Sequence, residues 1–186
     1  MGIVFVWCVA GALLCTLARG APAKYEEYEV KAAFLYKFIH FVRWPDRVLE
    51  TLEEEAAFGI GILGKDPFGN TLDQLVRGKK RDARPVRIFR GREFSELSEC
   101  FVLFIAKSET DRVGRLLDLT REKPVLTVSE IPGFAKKGGI IELYVKEKNV
   151  RFRINAEAAR AKGLKIHANL LELAEVVGPK PKGEQQ

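Results

Sequence analysis

Apolar positions recur every three to four residues in several segments of the chain, which is the spacing of a helix with one buried side. The strongest of these segments begins at Glu26 and ends before Trp44-Pro45, because the residue before a proline avoids helical dihedral angles. Residues 108–111 have the composition of a helix cap, and Asn155 is placed to cap a later helix. Helices are predicted at 26–43, 68–77, 113–120, 155–163 and 170–177.

Short apolar runs between these helices predict strands. Residues 101–105 are continuously apolar, as expected for a strand covered on both faces, whereas the last two runs alternate around 146–149 and indicate an antiparallel hairpin. Strands are predicted at 58–63, 85–89, 101–105, 125–128, 139–145 and 150–154. The order of the elements predicts an α/β fold, a single-domain three-layer sandwich with a mixed, mostly parallel sheet and helices on both faces.

The beginning of the chain has the pattern of an export signal. Residues 3–18 are almost unbroken apolar sequence, and the small-x-small tripeptide Ala21-Pro22-Ala23 follows them. We predict a cleaved signal peptide at 1–23, an α/β domain at 24–178 and a disordered tail at 179–186. A retained membrane anchor and a lipoprotein attached through Cys15 are the alternatives.

Composition places the chain among ordinary globular proteins. Its 186 residues suffice for one domain with a full core, and 47% hydrophobic content with 31 basic and 25 acidic side chains excludes collagen, low-complexity disorder and a polytopic membrane protein. Signal cleavage leaves Cys100 as the only cysteine, so an internal disulfide is excluded. The apolar residues around Cys100 predict that it packs in the core, with an intermolecular bridge as the alternative.

The sequence carries no complete catalytic or metal-binding motif. Residues 59–64 match the glycine pattern of dinucleotide sites, but these glycines lie inside a predicted strand, which favours close backbone packing. His40 and His167 stand alone, and Cys100 has no neighbouring base. We therefore predict that the protein is not an enzyme and binds no metal or cofactor, with a site assembled from scattered residues as the alternative.

Two groups of residues are candidates for binding another molecule. The basic stretch at 77–87 suits a nucleic acid, an anionic lipid or an acidic partner, and its alternative is a solvated connection. Export argues against nucleic acid. The large residues Phe41, Trp44, Pro45 and Phe134 stand at the ends of predicted elements, where they either form an apolar contact patch or line the core.

A series of short segments, each unspecific alone, forms a specific set when taken together. They are 30–38, Phe41, Trp44-Pro45, 62–64, 66–68, 124–129, 132–135, 138–141, 151–155 and 163–166. In this order the segments resemble the YfiR family over essentially all of the mature chain.

The resemblance implies a small exported α/β protein of the periplasm. Such a protein binds the periplasmic domain of an inner-membrane diguanylate cyclase, or a related sensor, and holds it inactive. Sequestration by an outer-membrane lipoprotein, or envelope stress, would relieve the inhibition, raise cyclic di-GMP and promote biofilm formation. A homodimer is a further expectation, and a nucleic acid is not expected as a partner.

For the contact with that partner, five residues are predicted. Trp44, Pro45 and Phe134 are the apolar candidates, and Arg151 and Arg153 are the charged ones. The alternative for the two arginines is the solvent face of an alternating strand. The alternatives for the whole protein are a periplasmic module that senses a small ligand in a crevice at the strand ends and a scaffold of the cell envelope.

Overall fold

The computed structural model describes residues 23–50, 53 and 56–178. The predicted signal peptide, apart from Ala23, and the predicted tail lie outside these residues. No helix in the described ranges is both long and apolar enough to cross a membrane.

Six helices and ten strands follow one another in the described part of the chain. The helices are α1 (Ala23–Phe41), α2 (Asp46–Glu50), α3 (Asn70–Val76), α4 (Val113–Leu119), α5 (Ala156–Ala161) and α6 (Ala168–Glu172). The strands are β1 (Val42–Arg43), β2 (Phe58–Leu63), β3 (Lys80–Arg81), β4 (Arg84–Gly91), β5 (Val102–Ile105), β6 (Leu126–Ser129), β7 (Ile141–Lys146), β8 (Asn149–Asn155), β9 (Lys165–Ile166) and β10 (Glu175–Val177).

Eight of the strands form one mixed sheet in the order β10-β8-β7-β6-β5-β2-β4-β3. Only the β7–β8 and β3–β4 pairs are antiparallel, and the other neighbours run parallel. The two remaining strands, β1 and β9, pair with each other, so the end of α1 is tied to the segment after α5. The predicted mixed, mostly parallel sheet and its hairpin are confirmed.

The core lies in two layers, one on each face of the sheet. Alternate side chains of β5 show the division, because Val102 and Phe104 pack toward α1 while Leu103 and Ile105 pack toward α4. We call these the α1 face and the α4 face. Helix α3 adds Leu72 to the layer on the α1 face. The predicted three-layer arrangement is thus confirmed.

The packing around Cys100 explains the glycines of β2. A Cβ atom at Gly59 would lie 3.3 Å from the Cys100 sulfur, and one at Gly61 would lie 3.1 Å from it. Glycine at both positions therefore lets Cys100 approach the strand, as the sequence pattern predicts. The thiol is free and buried, and burial raises its pKa to about 12. The prediction of a core cysteine is confirmed.

Three predicted helices differ from the observed structure. The first one, predicted over 26–43, ends at Phe41, and Val42–Arg43 form β1 and pair with β9 instead. The last one, predicted over 170–177, ends at Glu172, and Glu175–Val177 form β10 instead, parallel to β8. Pairing with β8 gives backbone partners to a segment that carries two β-branched valines. Residues 107–112 form a 3₁₀ turn before α4, without a side-chain cap where one was predicted.

Candidate functional site

The crevice where α/β proteins commonly bind ligands is filled by the protein itself. Strands β2 and β5 lead to connections on opposite sides of the sheet, so their carboxyl ends mark this position. There the Lys65 backbone N–H donates to Ser108 Oγ over 3.0 Å, and that hydroxyl donates to Glu109 Oε1 over 2.8 Å. Arg112 holds the other oxygen of the Glu109 carboxylate through its Nε. A carboxylate of the chain thus occupies the space that a ligand would need.

Gly64 is the residue that leaves space for the Glu109 carboxylate and the Ser108 hydroxyl in this crevice. Its φ of +92° lies in the left-handed region, and any Cβ atom there would overlap the Glu109 carboxylate and the Ser108 hydroxyl. Glu109 itself is 8% exposed. The sequence pattern predicted a turn after β2, but it did not predict which side chain fills the crevice.

Trp44 and Phe134, two of the apolar contact candidates, are core residues. Trp44 is 1% exposed and packs edge-on against Phe58, with ring centroids 5.2 Å apart. Phe134 is 0% exposed, and its ring fills the space beside Gly139. Neither side chain reaches solvent, which corrects the expectation that they offer a contact surface in this fold. Both residues stand at the ends of elements, where their side chains complete the packing of the core.

Pro45 lies at the surface and is half-buried. It lines a shallow cavity together with Arg43, Arg47 and Lys165. A Cβ atom at Gly163 would lie 3.1 Å from Pro45 Cγ, so glycine at that position leaves space for the proline ring. Of the three apolar residues predicted to contact the partner, Trp44, Pro45 and Phe134, Pro45 is therefore the one that a partner can reach, and its role stays a prediction.

Arg151 and Arg153 lie on the α4 face of β8, and the structure surrounds them with three residues that the sequence analysis missed. In the antiparallel register Arg153 stands opposite Glu142 and Arg151 stands opposite Tyr144. On the other side of β8, Arg153 stands beside Glu175 of β10. We call these five residues, Glu142, Tyr144, Arg151, Arg153 and Glu175, the polar patch.

Arg153 is the centre of the polar patch. Its Nη1 lies 2.9 Å from Glu142 Oε1, and its Nε lies 3.0 Å from Glu175 Oε1. Its guanidinium also covers the ring of Tyr144 at 3.9 Å from the centroid. Tyr144 in turn donates its hydroxyl to Glu175 Oε2 over 3.0 Å. Four side chains from three strands are thus held in one arrangement.

The ionisation of these groups follows from their contacts. Hydrogen bonds from Arg153 and Tyr144 lower the pKa of Glu175. The bond to Glu175 is the main reason that the pKa of Arg153 is raised. Burial, followed by the bond to Glu175, raises the pKa of Tyr144. At neutral pH the centre of the patch is therefore an ion pair with a neutral phenol beside it.

Glu142 connects the polar patch to the core of the α4 face. Its side chain is buried, and its two oxygens accept the backbone N–H groups of Gly133 and Ala135, each over 3.1 Å. Asn155 also holds this loop by donating Nδ2 to the Ala135 carbonyl over 2.9 Å. The loop that places Phe134 in the core is thus fixed by the same carboxylate that binds Arg153.

Arg151 is the freely exposed cation of the polar patch. It is exposed, while Arg153 and Tyr144 are half-buried. Helix α1 packs on the opposite face of β8, where Phe34 and Phe38 contact Phe152, and Glu175 on the α4 face is exposed like Arg151. The α4 face of the last three strands is therefore open to solvent at this point.

A signal for two of the missed residues was present in the sequence. Glu142 and Tyr144 share the period of two that assigns Arg151 and Arg153 to one face. The third residue, Glu175, was hidden by the prediction of a helix through 177. Pairing between strands brings these residues together, and that pairing is not visible in a single segment.

The fold is that of a small α/β protein with a polar surface on the last three strands of its sheet. Comparison with known proteins shows which family of such proteins it belongs to. The chain belongs to the YfiR/HmsC-like family, whose family model matches residues 28–175. The match runs from α1 to β10 and confirms the resemblance predicted from the sequence. No curated protein matches the chain significantly.

Proposed function

We propose that the protein is a periplasmic regulator that binds the sensor domain of an inner-membrane diguanylate cyclase and holds the cyclase inactive. It would thereby lower cyclic di-GMP and limit biofilm formation, until an outer-membrane lipoprotein sequesters it. Membership of the YfiR/HmsC-like family over residues 28–175 is the observation that carries this proposal.

The polar patch is the surface that we assign to the cyclase. Arginine and tyrosine are enriched at protein interfaces and at the residues that dominate binding energy. Arg153 is already fixed by Glu142, Glu175 and Tyr144, so its ordering on binding loses little further entropy. Arg151 beside it is exposed and offers its guanidinium to a carboxylate of the partner.

Binding alone is sufficient for this kind of regulation. A protein that prefers the inactive conformation of its partner shifts the equilibrium toward that conformation. A preference of about 5.5 kcal/mol moves a two-state equilibrium from about 1:99 to about 99:1. We therefore propose action by binding and not by catalysis, and the Glu109 carboxylate that fills the crevice at the ends of β2 and β5 supports this choice.

The proposal is tested by the cyclic di-GMP content of cells that lack the gene. Deletion should raise cyclic di-GMP, and re-expression of the whole chain should restore the parental level. Re-expression from residue 24 onward, without the predicted signal peptide, should not restore it. Unchanged cyclic di-GMP after deletion, or full restoration by the shortened chain, would contradict regulation from the periplasm.

A further inference from the structure

The edge of the sheet farthest from the polar patch carries a strand that is only partly paired. On one side, β4 pairs with β2 along most of its length, from Phe58↔Val86 to Leu63↔Gly91. On its other side, β3 pairs only with Arg84 and Pro85, the first two residues of β4. From Arg87 to Gly91 the outer side of β4 has no neighbouring strand among the described residues.

Two observed hydrogen bonds show which backbone groups point outward. The Gly91 carbonyl accepts from Gly64 on the β2 side, and the Val86 N–H donates to the Lys79 carbonyl on the outer side, each over 3.0 Å. Because backbone groups of successive strand residues point to opposite sides, the N–H and C=O groups of Ile88 and Arg90 point outward. They are the groups that an added strand would bond.

The side chains along this edge are basic and partly apolar. Phe89 is 43% exposed, and Arg87 is exposed beside it. Lys79 and Lys80 at the β3 end are exposed as well. Asp82, the one acidic residue of the stretch 77–87, is paired with Arg81, and its Oδ2 lies 3.2 Å from Arg81 Nε.

Three other arginines of the basic stretch and of this strand, Arg81, Arg84 and Arg90, have structural contacts. Arg84 donates to the Glu53 carbonyl over 2.6 Å, and Arg90 Nε lies 2.7 Å from Asp66. Arg81 lies under the ring of Trp44, with its guanidinium 4.6 Å from the ring centroid. The basic stretch is thus divided, since some of its cations hold the fold and others, including Lys79, Lys80 and Arg87, face solvent.

We propose that the outer edge of β4 binds an extended acidic segment of a partner protein as an added strand. Backbone bonds at Ile88 and Arg90 would hold the segment, and Arg87 with Lys80 would select acidic side chains. A second copy of this chain suits the edge poorly, because its own Arg87 and lysines would bring like charges together. The proposal concerns a different surface from the polar patch and does not depend on it.

The test uses the protein purified from cells and a ten-residue capped peptide of alternating Glu and Thr. Fluorescence anisotropy should show that this acidic peptide binds the protein weakly and that added salt weakens the binding. A peptide of the same length with Lys in place of Glu should not bind. Residue-resolved amide exchange should slow at Ile88 and Arg90 when the acidic peptide binds. The amides of Arg87 and Phe89, which already face β2, should not change.

Variants separate the edge from general charge attraction. The double variant Lys80→Glu with Arg87→Glu should weaken binding about tenfold, since it reverses the charge of two exposed cations at this edge. The double variant Arg115→Glu with Arg160→Glu makes the same charge change on α4 and α5, and it should bind like the unchanged protein. Three results would overturn the proposal: no binding at millimolar peptide, binding that leaves the Ile88 and Arg90 amides unprotected, and self-association that protects these amides without peptide.

Discussion

The α4 face of the sheet has two halves of opposite character. Over the central strands, Leu103 and Ile105 are fully buried beneath α4. Over the last three strands, the same face carries the polar patch, where Arg151 is exposed and Arg153 is half-buried. The backbone is a continuous sheet in both halves. The chemistry of every second side chain therefore decides whether this face of a strand is covered by the rest of the chain or exposed to solvent.

One loop forms the boundary between the two halves. Phe134 belongs to the core cluster beneath α4, and the N–H groups on either side of it bond Glu142 in the polar patch. The open half is thus not independent of the covered one. A change in the patch that disturbs Glu142 should reach the core through this loop.

The largest effect is expected from the covered half. Leu103→Ala removes a fully buried side chain from the cluster under α4 and should lower the free energy of unfolding by about 3 kcal/mol. Urea denaturation measures this change. A loss below about 1 kcal/mol would show that this half is not the tightly packed one.

A smaller loss is expected at the boundary. Glu142→Ala leaves the Gly133 and Ala135 N–H groups without their acceptor and should lower the free energy of unfolding by about 2 kcal/mol. Glu172→Ala, at an exposed position of α6, is the matched control and should change stability little. Equal effects of the two substitutions would refute the role of Glu142 as the link between the halves.

The open half should respond to acid through Glu175. Its pKa is lowered in the folded state by Arg153 and Tyr144, so its stabilising contribution is present above the unfolded-state pKa. That contribution is lost as the pH falls through the lower, folded-state value. Glu175→Gln should therefore be less stable than the unchanged protein at pH 7, and thermal melts should show the difference vanish at strongly acidic pH. A difference that does not vary with pH would contradict this assignment.

The smallest effect is expected in the turn between β7 and β8. Lys148 has a φ of +63°, a conformation that favours glycine. Lys148→Gly should raise the free energy of unfolding by about 0.5 kcal/mol. Lys146→Gly, in the strand before the turn, is the control and should lower it instead. Stabilisation by both substitutions would mean that the turn conformation is not the cause.

Local patterns predicted the elements whose character is decided within a few residues. The continuous apolar run of β5 is buried at every position, and Asn155 caps α5 by accepting the Ala158 N–H over 2.9 Å. The hairpin of β7 and β8 is found in the predicted place. In these cases neighbouring residues alone determine the outcome.

Features that depend on distant pairing were not predictable in the same way. The segment 175–177 forms a strand because β8 offers it an edge, and no residue within the segment reveals that edge. The burial of Trp44 and Phe134 likewise depends on what lies opposite them, such as Phe58 or Gly139. The two arginines were found from their alternation, whereas the carboxylates that hold Arg153 come from two other strands.

Cyclic di-GMP in a deletion strain that re-expresses single variants tests the central claim most directly. Three strains would be compared, which re-express the unchanged chain, the Arg151→Glu variant or the Arg160→Glu variant. The amount of the protein in the periplasm should be equal in all three. If the polar patch binds the cyclase, the unchanged chain and Arg160→Glu restore low cyclic di-GMP, and Arg151→Glu leaves it high. Restoration by Arg151→Glu to the level of the unchanged chain would contradict the role of the patch.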